Sequence, residues 1–166
     1  MALDNPLWRF ALDLYARPGV EAAALELQSL GCSINRLILA CFLAQKGCRL
    51  MPELLRGEAQ QWQNELTHPL RALRYKVRAR KADNPELDPC YRKLREAELA
   101  CEQVEIMLLW QCVEAVPEVQ LALGEDLLRG NIEQIVAEMG DRAVSQASSQ
   151  IDAFITVVDP GRLASG

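Results

Sequence analysis

LRGEAQQWQNELTHPLRALRYKV, residues 55–77, decides the fold. Its apolar positions Leu55, Ala59, Trp62, Leu66, Leu70, Leu73 and Val77 recur at intervals of three or four. That spacing is the signature of one face of an α-helix, and it runs without a break in register. Pro69 interrupts it chemically, because proline has no N–H to give to the carbonyl of Glu65. A kink or break is expected there, with the seam continuing beyond it.

Downstream, Asn84-Pro85-Glu86-Leu87-Asp88-Pro89 is the clearest turn in the chain. Asp88 as N-cap and Pro89 at the first helical position predict a new helix. Cys90, Leu94, Ala97, Cys101, Val104 and Leu108 repeat the three-four pattern, and Ile106, Leu109, Trp110 and Val113 widen the apolar face toward Pro117. Two helical seams joined by a short turn predict a long, kinked antiparallel hairpin over 53–116.

Upstream, Asn5-Pro6 caps a first helix over 6–16, with Leu7, Phe10 and Leu14 at helical spacing. Pro18-Gly19 separates it from a second helix over 20–30, with Ala23, Leu27 and Leu30 on one face and Gly31 at its end. Ser33 caps an apolar third helix that Gly47 closes. These three predict a compact N-terminal unit over 1–48. Beyond Pro117, Gly124, Gly130 and Gly140 separate a short helix from a longer one carrying Ile132, Ile135, Val136 and Met139. A last helix carries Val144, Ala147, Ile151, Phe154 and Val158 and ends at Asp159-Pro160-Gly161. The expectation is a single all-α domain, residues 1–166, of about seven helices, with C-terminal helices over 117–158.

Half of the 166 residues are hydrophobic, enough for a real core, and 18 basic against 23 acidic residues give a net charge of -5. An acidic chain is a poor general nucleic-acid binder. The N-terminus lacks a basic segment followed by an apolar run, so a cytoplasmic start is expected. The longest apolar run, residues 37–44, falls far short of the ~20 residues that span a bilayer. Six cysteines (Cys32, Cys41, Cys48, Cys90, Cys101, Cys112) show no CxxC and no Cys/His cluster, which predicts reduced, buried thiols and no zinc.

The prominent charged feature is basic: Arg71, Arg74, Lys76, Arg78, Arg80 and Lys81, then Arg92, Lys93 and Arg95 across the turn. In a hairpin folded near Glu86, Arg71 and Arg74 lie level with Glu102 and Glu98, so interhelical ion pairs are expected to absorb much of this charge. Arg78, Arg80, Lys81, Arg92, Lys93 and Arg95, nearest the turn, have no obvious acidic partner and form the candidate partner-binding tip.

His68, the single histidine, has no Ser, Cys or carboxylate partner signalled in sequence, so no catalytic residue is assigned. Glu96, Glu98, Glu102 and Glu105 lack the second histidine of a helical di-metal site and read as a solvated face. No cofactor motif is present. Trp8, Phe10, Tyr15, Trp62 and Trp110 are spaced as core anchors, with a pocket for an apolar ligand as the alternative.

Residues 7–20 (LWRFALDLYARPGV), Leu25-Glu26-Leu27-Gln28 and Ser33-Ile34-Asn35-Arg36-Leu37, together with Trp62 and Pro69-Leu70-Arg71-Ala72-Leu73-Arg74, resemble a family of small proteobacterial proteins of unknown function. The chain differs from the family's usual pattern at Leu7, where an aromatic is frequent, and at Phe42, where tryptophan is common. The resemblance implies a bacterial cytoplasmic helical protein and supplies no catalytic residue. Gln28 and Asn35 match it inside apolar helices; they are read as a candidate internal polar pair, either facing a ligand or fixing how helices two and three dock.

The functional expectation is a non-enzymatic interaction or regulatory protein that offers the basic tip or its C-terminal helices to another protein. The alternative is a helical small-molecule or lipid-binding module. A homodimer through the last helix is a further expectation, should its apolar stripe exceed what the core needs.

Overall fold

A computed structural model describes residues 2–114 and 124–158. All regular structure among these residues is helical. The elements are α1 (Pro6–Tyr15), α2 (Val20–Ser29), α3 (Ile34–Gln45), α4 (Glu58–Trp62), α5 (His68–Lys81), α6 (Asp88–Val113), α7 (Glu125–Ala137), α8 (Ala143–Gln146) and α9 (Ser148–Val158). Short 3-10 turns at Pro52–Leu55 and Pro85–Leu87 lead into α4 and α6.

Local chemistry places the first boundaries. Asn5 accepts a hydrogen bond from the Trp8 amide at 2.9 Å, which satisfies one of the free donors at the start of α1, and Pro6 follows at the first position. Ser33 caps α3 by accepting from the Arg36 amide. At Gly19 (φ +85°) a Cβ would lie 3.1 Å from Cγ1 of Val157, so both the turn and the approach of α9 require glycine.

The core is organised around α3, in which ten consecutive residues, 35–44, are buried. A helix buried on every side must be surrounded, and α1, α2, α6 and α7 pack around this one. Helix α9 lies against α2 and α7, with Ile151, Phe154, Ile155 and Val158 buried there. The first three helices are thus woven into one hydrophobic core with the C-terminal ones. The buried face of α2 is Val20, Ala24 and Leu27, while Leu30, expected on that face, is exposed. Phe10, Phe42 and Trp110 stack edge to face, with ring centres 5.5 and 5.9 Å apart.

Three expectations change in detail. Gly130 lies inside α7 instead of separating two helices, and the short helix expected after Pro117 and the stop at Asp159 lie outside the described residues. Asp88 is the first residue of α6 and does not cap it; its carboxylate joins Lys81 and Arg92. Cys32, Cys41 and Cys48 are buried as expected, but Cys90 is exposed, because it lies on the outer half of the hairpin where no other element covers it.

The interruption expected at Pro69 takes the form of a π turn, Gln63–Thr67, that joins α4 to α5 without a break. The His68 amide reaches back five residues to the Gln63 carbonyl. A π turn absorbs one residue more than an α turn, so every side chain beyond it is displaced by about 100° relative to an uninterrupted helix. The buried positions therefore move one place along, to Gln63 and Thr67, and Leu66 and Leu73 turn outward, 43% and 48% exposed. The expected seam is correct up to Trp62 and fails beyond it for this reason.

Candidate interaction surface

Helices α5 and α6 run antiparallel and form an arm. None of the 14 residues of α5 is fully buried, and on the outer half of α6 only Glu98 is. An arm with so little apolar burial needs another source of cohesion, and here it is charge. Glu98, 5% exposed, accepts from Arg71 at 2.6 Å and pairs with Arg74 through its other oxygen. Arg71 also pairs with Glu102. Arg74 donates to the Tyr91 hydroxyl at 3.2 Å and lies over the Tyr75 ring, 4.6 Å from its centre. Burial pushes the Glu98 carboxyl up, but the Arg74 and Arg71 guanidiniums outweigh it and hold its pKa below the ordinary value. Glu98 is thus part of a buried interhelical network, not of the solvated face expected for it.

At the tip the predicted residues separate into two sets. Lys81 and Arg92 share the Asp88 carboxylate, and Lys93 pairs with Glu96 at 2.7 Å, so these three have acidic partners that sequence reading overlooked. Each pair is close in sequence, across the turn or within one helical turn of α6. Arg78, Arg80 and Arg95 are exposed and make no ion pair among the described residues. The open basic surface of the tip is these three arginines.

The arm is anchored at its root by a polar cluster. Gln63, presented inward by the π turn, donates to Ser33 at 2.8 Å and to Glu105 at 2.9 Å. The Trp62 indole donates to the Cys101 carbonyl at 3.0 Å. Asn35 donates to the Glu102 carbonyl at 3.2 Å, so it ties α3 to α6 and is not paired with Gln28, which sits half-buried on α2. No hydrogen bond joins Gln28 to Asn35 among the described residues, because the Asn35 amide is turned to α6. Arg36, 8% exposed, is held by Glu138 at 2.6 Å and by the Leu55 carbonyl at 3.1 Å.

Glu105 is 2% exposed, and burial pushes its carboxyl from near 4.5 up to about 7, although the Asn35 amide and the Arg36 guanidinium pull the other way. The folded state therefore binds this proton more tightly than the unfolded chain does. Its contribution is fully present below about pH 4.5 and is lost as pH rises through 7, a change of about 3 kcal/mol. Glu105→Gln, which mimics the protonated group, is expected to flatten that slope and to be more stable than the native protein at pH 8. Urea unfolding across the pH range checks it.

Two shallow clefts flank these features among the described residues. One, about 190 Å³, is lined by Phe42, Lys46, Trp110 and Val113. The other, about 220 Å³, brings His68 beside Ser33, Arg36, Gln63, Asn64 and Glu138. Burial, then Arg71 and Arg36, lower the His68 pKa, and its ring makes no hydrogen bond to a carboxylate or thiol among the described residues. Both volumes lie below the roughly 300 Å³ at which drug-sized ligand pockets begin.

Residues 6–109 match the family described as "Protein of unknown function (DUF2390)". The chain belongs to that family. The matched span runs from the first residue of α1 through most of α6, so the region shared with the family includes all of α5, the facing part of α6, the π turn and the Ser33/Gln63/Glu105 cluster. Helices α7 to α9 lie beyond it. No curated protein and no solved structure matches the chain significantly. Among the described residues no helix is long and apolar enough to cross a membrane.

Proposed function

We propose that this member of the family is a non-enzymatic protein-interaction protein of the bacterial cytoplasm, and that the α5–α6 arm is the element it offers to a partner. One observation carries the reading: α5 keeps no residue fully buried over 14 positions and exposes Leu73 and Tyr75, next to the exposed Leu66 of the π turn. Exposed apolar side chains beside Arg78, Arg80 and Arg95 suit a protein surface with an apolar centre and an acidic rim. The net charge of -5 disfavours nucleic acid as the partner. The small-molecule or lipid-binding alternative has less support, because the two clefts are open and small.

The test reverses two of the three open tip charges and leaves Arg80 in place. Affinity capture from native extract with the wild type is expected to retain an acidic protein that the Arg78→Glu, Arg95→Glu variant loses, at unchanged helicity. An identical set of captured proteins would remove the tip from the interaction.

A further inference from the structure

We infer that the outward face of α5 pairs with the same face of a second copy of this chain, antiparallel, across a two-fold axis. The inference rests on reading the arm as an interaction element and names what covers its apolar side. At about 100° per residue, Leu70, Leu73 and Val77 fall within about 60° of one another on α5, and the exposed Leu66 lies four residues before Leu70 in the π turn that leads into it. Their spacing of four, three and four is that of a two-helix seam. Leu66 and Leu73 are exposed and Leu70 and Val77 half-buried, because α5 faces α6, the one helix it packs against extensively, with Arg71 and Arg74.

This stripe is complementary to itself. A two-fold axis midway between Leu70 and Leu73 sets Leu70 against Leu73 of the second copy and Leu66 against Val77. The flanking charges fix the direction. Lys76 and Arg80, one turn apart, lie on the flank of the stripe away from α6, and Glu65 lies on the same flank. Under the same axis, Glu65 of the second copy comes level with position 78, between Lys76 and Arg80 and about 3 Å along the helix from each. Neither Lys76 nor Arg80 has an acidic partner among the described residues, and Glu65 holds only the Gln61 amide, at 3.0 Å. Parallel pairing would turn this flank toward the partner's opposite flank, the one that carries Arg74 against α6, and would leave Glu65 without Lys76 or Arg80, so the charges select the antiparallel arrangement. Helix α9, where a surplus apolar stripe was expected, buries its stripe against α2 and α7. The open stripe is on α5.

Sedimentation equilibrium over a concentration series tests the pairing. The wild type is expected to show a reversible monomer–dimer equilibrium, and Leu66→Ser with Leu73→Ser to weaken it at least about a hundredfold, since four leucines lose their cover in each dimer. Glu65→Lys should weaken it about tenfold, and adding Lys76→Glu and Arg80→Glu should restore it, a rescue that a merely structural role for Glu65 would not produce. Circular dichroism confirms that each variant folds. A wild type that stays monomeric to about 200 μM, a dimer indifferent to the leucine changes, or a charge swap without rescue overturns the proposal. A monomeric wild type that still loses its captured acidic protein on Arg78→Glu and Arg95→Glu overturns this pairing alone. A dimer whose captured proteins ignore those two changes overturns the acidic-partner reading and leaves the pairing standing.

Discussion

Replacing Glu98 by alanine is expected to open the arm while the rest of the fold stands. Glu98 is the one carboxylate that holds both Arg71 and Arg74, and it is almost fully buried between α5 and α6. Removing it leaves Arg71 with Glu102 alone and Arg74 with a tyrosine hydroxyl and two aromatic faces. Breaking a buried ion pair from one side costs about 3–5 kcal/mol, and because both arginines can turn toward water the lower end applies. Few apolar contacts back these pairs up in α5, so the loss should appear as local opening. Hydrogen exchange is the measurement: amides of α5 and the outer half of α6 should lose about a hundredfold in protection, with α3 and α7 unchanged. The native arm should show a matching acid sensitivity. The Glu98 pKa lies below its unfolded value, so its contribution is present above the ordinary carboxylate range and is lost as pH falls through the folded value.

The second large effect lies in the core, where α7 packs on α3, and should be global. Asn131 on α7 is completely buried, donates to the carbonyls of Ala40 and Cys48 at 3.2 and 3.0 Å, and accepts from the Leu50 amide at 2.7 Å. One amide thus fastens the chain leaving α3 to the helix packed across it. Asn131→Ala strands a buried N–H and a buried carbonyl and leaves a cavity beside Ile132 and Leu128; about 3 kcal/mol is expected. For a chain of this size that lowers Tm by roughly 10 °C. Thermal unfolding checks the size. Asn131→Leu separates the causes: filling the space without restoring the hydrogen bonds should recover little, because the desolvated backbone groups remain unpaired.

The parts of this structure legible in the sequence are those with local chemistry behind them. Asn5-Pro6 and Ser33 cap helices where capping residues should, and the Gly19 turn adopts the backbone conformation for which glycine is chosen. The antiparallel hairpin, and the matching of Arg71 and Arg74 to Glu98 and Glu102, follow from counting residues to a turn. What escaped depends on which side of a helix faces inward. Glu98 and Glu105 look no different in sequence from Glu96, yet two are buried and one is exposed, a distinction made by helices far away in the chain. Asn131 sits between Gly130 and Ile132 with nothing local to mark it as a hub. The tip was half read: Asp88 and Glu96 were visible as charges, but the pairing of Asp88 with Lys81 and Arg92 depends on how Asp88 enters the helix, and Glu96 takes Lys93 one turn away on α6. The phase of α5 was the largest loss, because its apolar spacing describes a helix without the π turn.

That turn also bears on how the chain tolerates insertion and deletion. A helix is ordinarily a poor place to lose a codon, since each residue downstream swings by about 100° and exchanges its neighbours. Between Gln63 and Thr67 this helix holds one residue more than α-helical winding needs. A deletion within those five positions lets the backbone relax to ordinary winding with Arg71 and Arg74 still facing α6 and Leu73 still facing out. The same deletion one turn later, inside α5, would carry the remainder of the arm out of phase with its partner helix.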